Sequence, residues 1–408
     1  MTHKSASFIP YSRHFIDEDD IAKVVEVLRG GWLTTGPEID AFEKALAERV
    51  GAQHAIACSS GTAALHLATL ALSLGPGDAA IVPALTFLAT ANAVRLAGAE
   101  VVFADVDPTT GLLTADALDA ALKEAEILGR GKVKAVLPVH LNGQSANMVK
   151  IAAVASQAQL RVIEDGCHAL GTCYEVPPAV QLTGDCRYSD LTVFSFHPAK
   201  TITTAEGGAV TTNQPDLADR IRILRNHGML KLPESLRHRD RATDTSGLPN
   251  PWYYEMHEVG LNYRASDLQC GLGLSQLGKL PKFIATRRSL TEHYDRRIAA
   301  LAPVVGPVAR VEGCKPAWHL YVVQINFEAI GRSRARVMAE LVADGIGTQV
   351  HYIPVCNQPY YQKRYGAVHL PGAESYYRRA LSLPLFPGMS EEDVDQVVSS
   401  LARAINVT

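Results

Sequence analysis

Residues 54–106 read HAIACSSGTAALHLATLALSLGPGDAAIVPALTFLATANAVRLAGAEVVFADV. Three short runs in this stretch, His54–Cys58, Ala80–Val82 and Glu100–Val106, are nearly continuous apolar sequence. Between them lie Thr62–Leu74 and Phe87–Ala97, where apolar residues recur at helical spacing. Strand, helix, strand in this order predicts βαβ units. Strands that lack polar alternation predict a parallel sheet covered on both faces.

The rhythm continues outward. Val133–Val139 and Arg161–Glu164 read as strands, Ala115–Ala125 and Asn147–Ala158 as helices. It breaks at residues 190–213, DLTVFSFHPAKTITTAEGGAVTTN, where two strand-like runs leave no room for a helix. A turn or hairpin must join them, and Lys200 lies in that connection. Helices are predicted over Asp216–Asn226 and Ser266–Leu277, and the charged, breaker-rich segment Lys231–Pro251 predicts a mobile surface loop. A second block begins at Pro281 with PKFIATRRSLTEHYDRRIAAL, followed by HLYVVQINF, SRARVMAELVADG, GTQVHYIP and SEEDVDQVVSSLARAI. The expected architecture is α/β, with a large, mostly parallel-sheet domain over residues 1–280 and a smaller α+β domain over 281–408.

Composition narrows the class of function. The 408 residues carry 39 Lys+Arg against 42 Asp+Glu, a net charge of −3, without the basic excess of a nucleic-acid or anionic-membrane binder. Hydrophobic residues make up 47%, enough for a large core. The longest uncharged apolar stretch, Ala79 to Val94, is interrupted by Pro83 and Asn92 and falls short of the roughly 18 residues of a membrane span. The N-terminal sequence has no secretory apolar run, so a soluble, cytoplasmic protein is expected. Seven scattered cysteines without a CxxC pair predict reduced thiols, and Cys167, His168, Cys173 and Cys186 match no common zinc spacing, so no metal is expected.

Three local features carry chemistry. Lys200 is the only fully charged side chain between Asp190 and Glu206. Surrounded by apolar and hydroxyl residues, its amine is desolvated and made nucleophilic, as Schiff-base chemistry requires; the competing reading is a loop lysine facing solvent. Ser59, Ser60, Gly61 and Thr62 open an apolar helix, where free N–H groups, hydroxyls and an absent side chain make a phosphate seat. Serine and threonine also cap helices for structural reasons alone. Asp165 ends an apolar strand at the edge where open α/β sheets bind ligands. A protonated pyridine nitrogen would partner it, and the alternative is a helix N-cap. Glu164 points to the other side of the strand. Together the three compose a pyridoxal phosphate site, to which Phe87 could present a flat apolar face.

With these residues in place the chain resembles the DegT/DnrJ/EryC1/StrS sugar aminotransferases, fold-type I pyridoxal phosphate enzymes acting on nucleotide-linked keto sugars. The markers are GGWLTTGPEIDAFEKALAE, SSGTAALHLA, TFLATANAV, EDGCHALG, FSFHPAKTITTAEGGAVTTN, RNHGM, GLNYRASDLQCGLGLSQL and QVHYIPV. Within the group, DCRYSDLTVFSFHPAK, PWYYE and QVHYIPVCNQPYY are most similar to the branch that makes UDP-4-amino-4,6-dideoxy-N-acetyl-β-L-altrosamine for pseudaminic acid, with L-glutamate as amino donor. The resemblance implies that Lys200 binds the cofactor covalently, Asp165 meets the pyridine nitrogen and His168 the ring hydroxyl. It places Gly61, Thr62 and Ser195 on the phosphate. It further implies that Asn262 reaches the phosphate of a neighbouring subunit, which makes the protein a homodimer with shared sites. Sugar-nucleotide contacts are expected at Tyr11, at Gly31, Trp32, Leu33 and Thr34 of the N-terminal segment 1–36, and at Gln349, Val350, His351 and Tyr352. For His351 and Tyr352 ordinary strand packing competes. Cys167 stands where relatives carry a small residue, and the 231–251 loop is longer than in many. Another sugar 4-aminotransferase (perosamine or 4-amino-arabinose type) remains open, as do a sugar 3-dehydratase, against which Lys200 argues, and a non-catalytic sensor.

Overall fold

The computed structural model describes residues 8–406, so the first seven residues of the expected N-terminal segment lie outside it. Two helices precede the sheet, α1 (Glu18–Arg29) and α2 (Pro37–Val50). Strands β1 (His54–Cys58), β2 (Asp78–Pro83), β3 (Glu100–Ala104), β4 (Lys132–Val136) and β5 (Arg161–Asp165) then alternate with α3 (Gly61–Ala71), α4 (Leu88–Leu96), α5 (Ala115–Leu128) and α6 (Met148–Gln157). A small hairpin, β6 (Cys173–Val176) and β7 (Ala179–Leu182), interrupts before β8 (Leu191–Ser195), β9 (Gly208–Thr212) and α7 (Pro215–Leu224). The main sheet has seven strands in the order β1-β9-β8-β5-β4-β2-β3. Only β9 runs against its neighbours, pairing antiparallel with both β1 and β8. The connection from Ser195 to Gly208 holds no helix to carry the chain across the sheet, so the chain turns back on itself.

Burial on both faces follows the sequence pattern. Ile56, Val82, Ile163 and Val210 pack with α3, α4 and α7 in one core, while Ile81, Val102, Val136 and Val162 pack with α5 and α6 in another.

The C-terminal half departs from expectation at Pro281. Instead of two helices, one 32-residue helix runs from Asp267 to Ile298 with Pro281 inside it. A proline in a helix interior costs roughly 3 kcal/mol, and tertiary packing overrides it here. Leu277, Leu280 and Phe283 are buried in the core around α2, and Leu290, Tyr294 and Ile298 in a separate C-terminal core. The expected boundary at residue 281 therefore lies within a helix anchored in both cores. The C-terminal core is completed by an antiparallel sheet of Val305–Pro307, Tyr321–Ile325 and Ala380–Leu383, by helices Arg334–Ala343 and Glu391–Ala404, and by Ile9 from the N-terminal segment. GTQVHYIP contributes no full strand; Gln349 makes a single bridge to Ser382. The 231–251 loop holds two short helical turns, Pro233–Ser235 and Arg239–Ala242, and the pairing of Met229–Leu230 with Glu255–Met256 closes its base.

Candidate active site

The carboxyl ends of the parallel strands open into a cavity of about 580 Å³, lined by residues from both halves of the chain. Asp165, at the end of β5, is buried there. Backbone bonds hold it on both sides: its N–H donates to Pro138 O at 2.8 Å, and its C=O accepts from His140 N at 3.1 Å. The strand alternation expected for Glu164 holds. It packs away from the cavity, accepting from His140 Nε2 (2.7 Å), Ser189 Oγ and Thr192 Oγ1 (3.2 Å). No helix follows Asp165, which removes the N-cap alternative. Its Oδ1 accepts from the Cys167 N–H at 3.1 Å and its Oδ2 from Thr90 Oγ1 at 2.7 Å. Among the described residues it has no ion-pair partner.

Lys200 lies in the turn between β8 and β9. Its N–H donates to His197 O at 2.8 Å, and Ser12 Oγ donates to Ala199 O at 3.2 Å, so the N-terminal segment braces the turn. Although the side chain reaches the cavity, burial pushes the amine below its ordinary value, while Cys167 and Asp165 pull it partly back.

Across from it, α3 begins with Ser60 as N-cap, its hydroxyl accepting from Ala63 N at 3.1 Å. The structural role of Ser60 is thus real, and Gly61, Thr62 and Ser195 line the cavity beside it. First-turn N–H groups have no acceptor within their own helix. The space here is tight: a Cβ on Gly61 would lie 2.7 Å from Ser195 Cβ, and one on Gly208 would lie 2.4 Å from Ser60 O.

The remaining wall is aromatic. Tyr352 Oη and His168 Nε2 are 3.1 Å apart, and the buried His168 Nδ1 has no hydrogen-bond partner among the described residues. His351 Nδ1 meets Ser382 Oγ at 2.7 Å, and Tyr11 tilts against the His351 ring at 5.8 Å between centroids. Phe87 lies 6.0 Å from the Tyr352 ring and is 55% exposed, while Gln349 and Val350 complete this side. Burial drives His168 well below its usual range, with nearby Lys200 and His351 adding to the effect. It brings His351 down to about 3 and raises the Tyr352 phenol.

Not every expected residue arrives. Gly31, Trp32, Leu33 and Thr34 lie outside this lining, held at the start of the long helix where Leu33 O accepts from Asp267 N at 3.0 Å and Thr34 bridges Ser266. Asn262 bridges Asn226, also outside the lining. Conversely, sequence reasoning missed His319, whose ring packs 4.4 Å from that of His168, and the pair Thr86 and Thr90. Only the i, i+4 spacing of the two threonines offered a signal.

The residues present fit pyridoxal phosphate. An unpaired buried carboxylate suits a protonated ring nitrogen, Lys200 suits its carbonyl, the α3 terminus suits its phosphate, and His168 Nδ1 is a buried polar atom that needs a partner.

Comparison with known proteins agrees. The model of the DegT/DnrJ/EryC1/StrS aminotransferase family matches residues 14–402. Spore coat polysaccharide biosynthesis protein SpsC of Bacillus subtilis is 40% identical over 404 residues, 98% of either chain. Among solved structures, Helicobacter pylori PseC, an aminotransferase involved in the biosynthesis of pseudoaminic acid, superposes with a TM-score of 0.85 at 30% identity, covering 98% of this chain and 100% of its own. The pyridoxal phosphate form of the putative sugar aminotransferase Spr1654 from Streptococcus pneumoniae gives 0.84 at 28% identity, over 98% and 99%.

Proposed function

Given that the chain belongs to the DegT/DnrJ/EryC1/StrS family and is a pyridoxal phosphate-dependent sugar aminotransferase, we propose which amino group it moves and where. The donor is L-glutamate. The acceptor is C4 of a UDP-linked 4-keto-6-deoxy-N-acetylhexosamine of L-arabino configuration, and the product is UDP-4-amino-4,6-dideoxy-N-acetyl-β-L-altrosamine. The observation carrying this reading is the joining of Lys200 and Asp165 to the Tyr11, His351 and Tyr352 wall in one cavity, on a scaffold similar to PseC along its whole length. The volume lies within the roughly 300–1,000 Å³ of small-molecule sites.

When bound, the cofactor supplies a carbonyl to receive the amine and an electron-withdrawing ring. Lys200, less basic than an exposed lysine, takes the proton from Cα of glutamate and later delivers one to C4 of the sugar. Asp165 keeps the ring nitrogen protonated. His168 and His351 stay neutral, so they orient oxygens by hydrogen bonding without adding charge.

Among the described residues Lys200 is the only lysine or arginine in the cavity lining, so the anionic groups of cofactor and substrate must be held largely by neutral N–H and O–H donors. Asn262 and the Gly31–Thr34 segment lie outside their own chain's lining, and we place them, as further neutral donors, at the cavity of a second copy in a homodimer.

The similarity to SpsC favours a second reading, transfer to C4 of a different nucleotide sugar. Purified protein with pyridoxal phosphate and glutamate should be given the L-arabino and, separately, the D-xylo 4-keto UDP-sugar, with amino-sugar formation followed by mass spectrometry. Turnover of the L-arabino sugar alone is expected. Turnover of the D-xylo sugar alone would overturn the substrate and keep the aminotransferase.

A further inference from the structure

We propose that Thr90, backed by Thr86, is a positioning residue: the two hydroxyls form a relay that sets the Asp165 carboxylate against the ring nitrogen. The inference rests on pyridoxal phosphate occupying the cavity and not on which sugar accepts the amine.

Among the described residues each Asp165 oxygen accepts from one neutral donor. Oδ1 takes the Cys167 N–H, two residues along the same turn, at 3.1 Å. Oδ2 takes the hydroxyl of Thr90 at 2.7 Å, from a helix 75 residues away in sequence. Thr90 is fully buried, and its Oγ1 lies 2.6 Å from that of Thr86. The direction of the chain follows from the chemistry. An ionised carboxylate can only accept, so the Thr90 proton points at Asp165, and the Thr90 oxygen must then accept the proton of Thr86. Both protons therefore point toward Asp165, which leaves the oxygen of Thr86, a residue of the cavity lining, to act as an acceptor. Hydrogen bonds linked this way polarise one another.

Neutral donors are the informative feature. A lysine or arginine at this position would fix the carboxylate equally well but would neutralise it and compete with the ring nitrogen. Hydroxyls fix its rotamer and leave the charge for the cofactor. Because the carboxylate is buried, losing one donor also leaves a costly unsatisfied oxygen.

The test is the affinity of cofactor-free protein for pyridoxamine 5′-phosphate, which carries an amine instead of a carbonyl and so reads the grip without a covalent bond to Lys200. Thr90→Val keeps the shape and removes the donor, and a dissociation constant raised about 10-fold or more is expected for the loss of a bond to a charged group. Thr90→Ser restores the hydroxyl and should stay within about threefold of wild type, with Thr86→Val weakening binding about threefold through the outer link. The double variant should bind no more weakly than Thr90→Val alone, because the outer hydroxyl acts through the inner one. Wild-type-like binding by Thr90→Val, additive losses in the double variant, or failure of serine to rescue at unchanged melting temperature would each overturn the relay. Failure of the wild type to bind pyridoxamine phosphate would remove the cofactor premise along with it.

Discussion

Of the four histidines in the cavity lining, His168, His319 and His351 are buried, and burial depresses the basicity of each. A depressed histidine binds its proton in the unfolded chain before it does in the fold. Stability from keeping it neutral is therefore complete above the unfolded value near 6.5 and is lost as the pH falls below it. For His351, held down to about 3, the loss runs through the whole mildly acid range. Urea unfolding of the cofactor-free protein at pH 7 and pH 5 should show wild type losing up to about 2 kcal/mol more over that interval than His351→Asn. Equal losses would mean that the ring is not held neutral.

At the scale of elements, the proposed cofactor seat depends on how closely the α3 N-terminus meets the β8–β9 hairpin. Gly208 packs against the Ser60 carbonyl, where a Cβ would sit 2.4 Å from the oxygen and 2.5 Å from the carbon, both backbone atoms that cannot swing aside. Gly208→Ala should displace the first turn of α3, lowering cofactor affinity at least about tenfold and costing about 1–3 kcal/mol of stability by overpacking. Gly278→Ala, whose Cβ would meet nothing within 4 Å, is the control. Normal cofactor binding by Gly208→Ala would show that the seat tolerates a shift. The long helix illustrates the opposite balance. Its proline disfavours continuation locally, and side chains buried in two cores hold it continuous.

For the whole molecule, the exposed Trp32 and Leu33 (60% and 50%) and the residues around Asn262 lie outside their own chain's cavity. If the site is shared, two variants that are each inactive should complement one another. Mixed dimers of Lys200→Ala with Asn262→Asp contain one site with native Lys200 and, from the other chain, native Asn262. Co-refolding equal amounts should recover about a quarter of wild-type activity, since about half the dimers are mixed and one site in each is intact. No recovery, with mixed dimers verified by differential tagging, would place Asn262 in its own chain's structure alone.

The strands of the main sheet, the hairpin carrying Lys200 and the outward turn of Glu164 were legible in the sequence because each depends on contiguous residues. Apolar runs, a connection without a helix and the two-residue alternation of a strand are local properties. The expectation for Lys200, Asp165 and the Ser60–Thr62 helix start likewise comes from adjacent residue types, and the structure brings these residues to one cavity. What the tertiary structure decided depends on residues far apart in the chain. The uninterrupted helix through Pro281 reflects packing in two cores, and no local propensity encodes that. His319 comes against His168 across some 150 positions, and Thr90 reaches Asp165 from a different βα unit. Sequence assigns such side chains a type and a periodicity, and only the docking of strand ends and helix starts against one another gives them a partner.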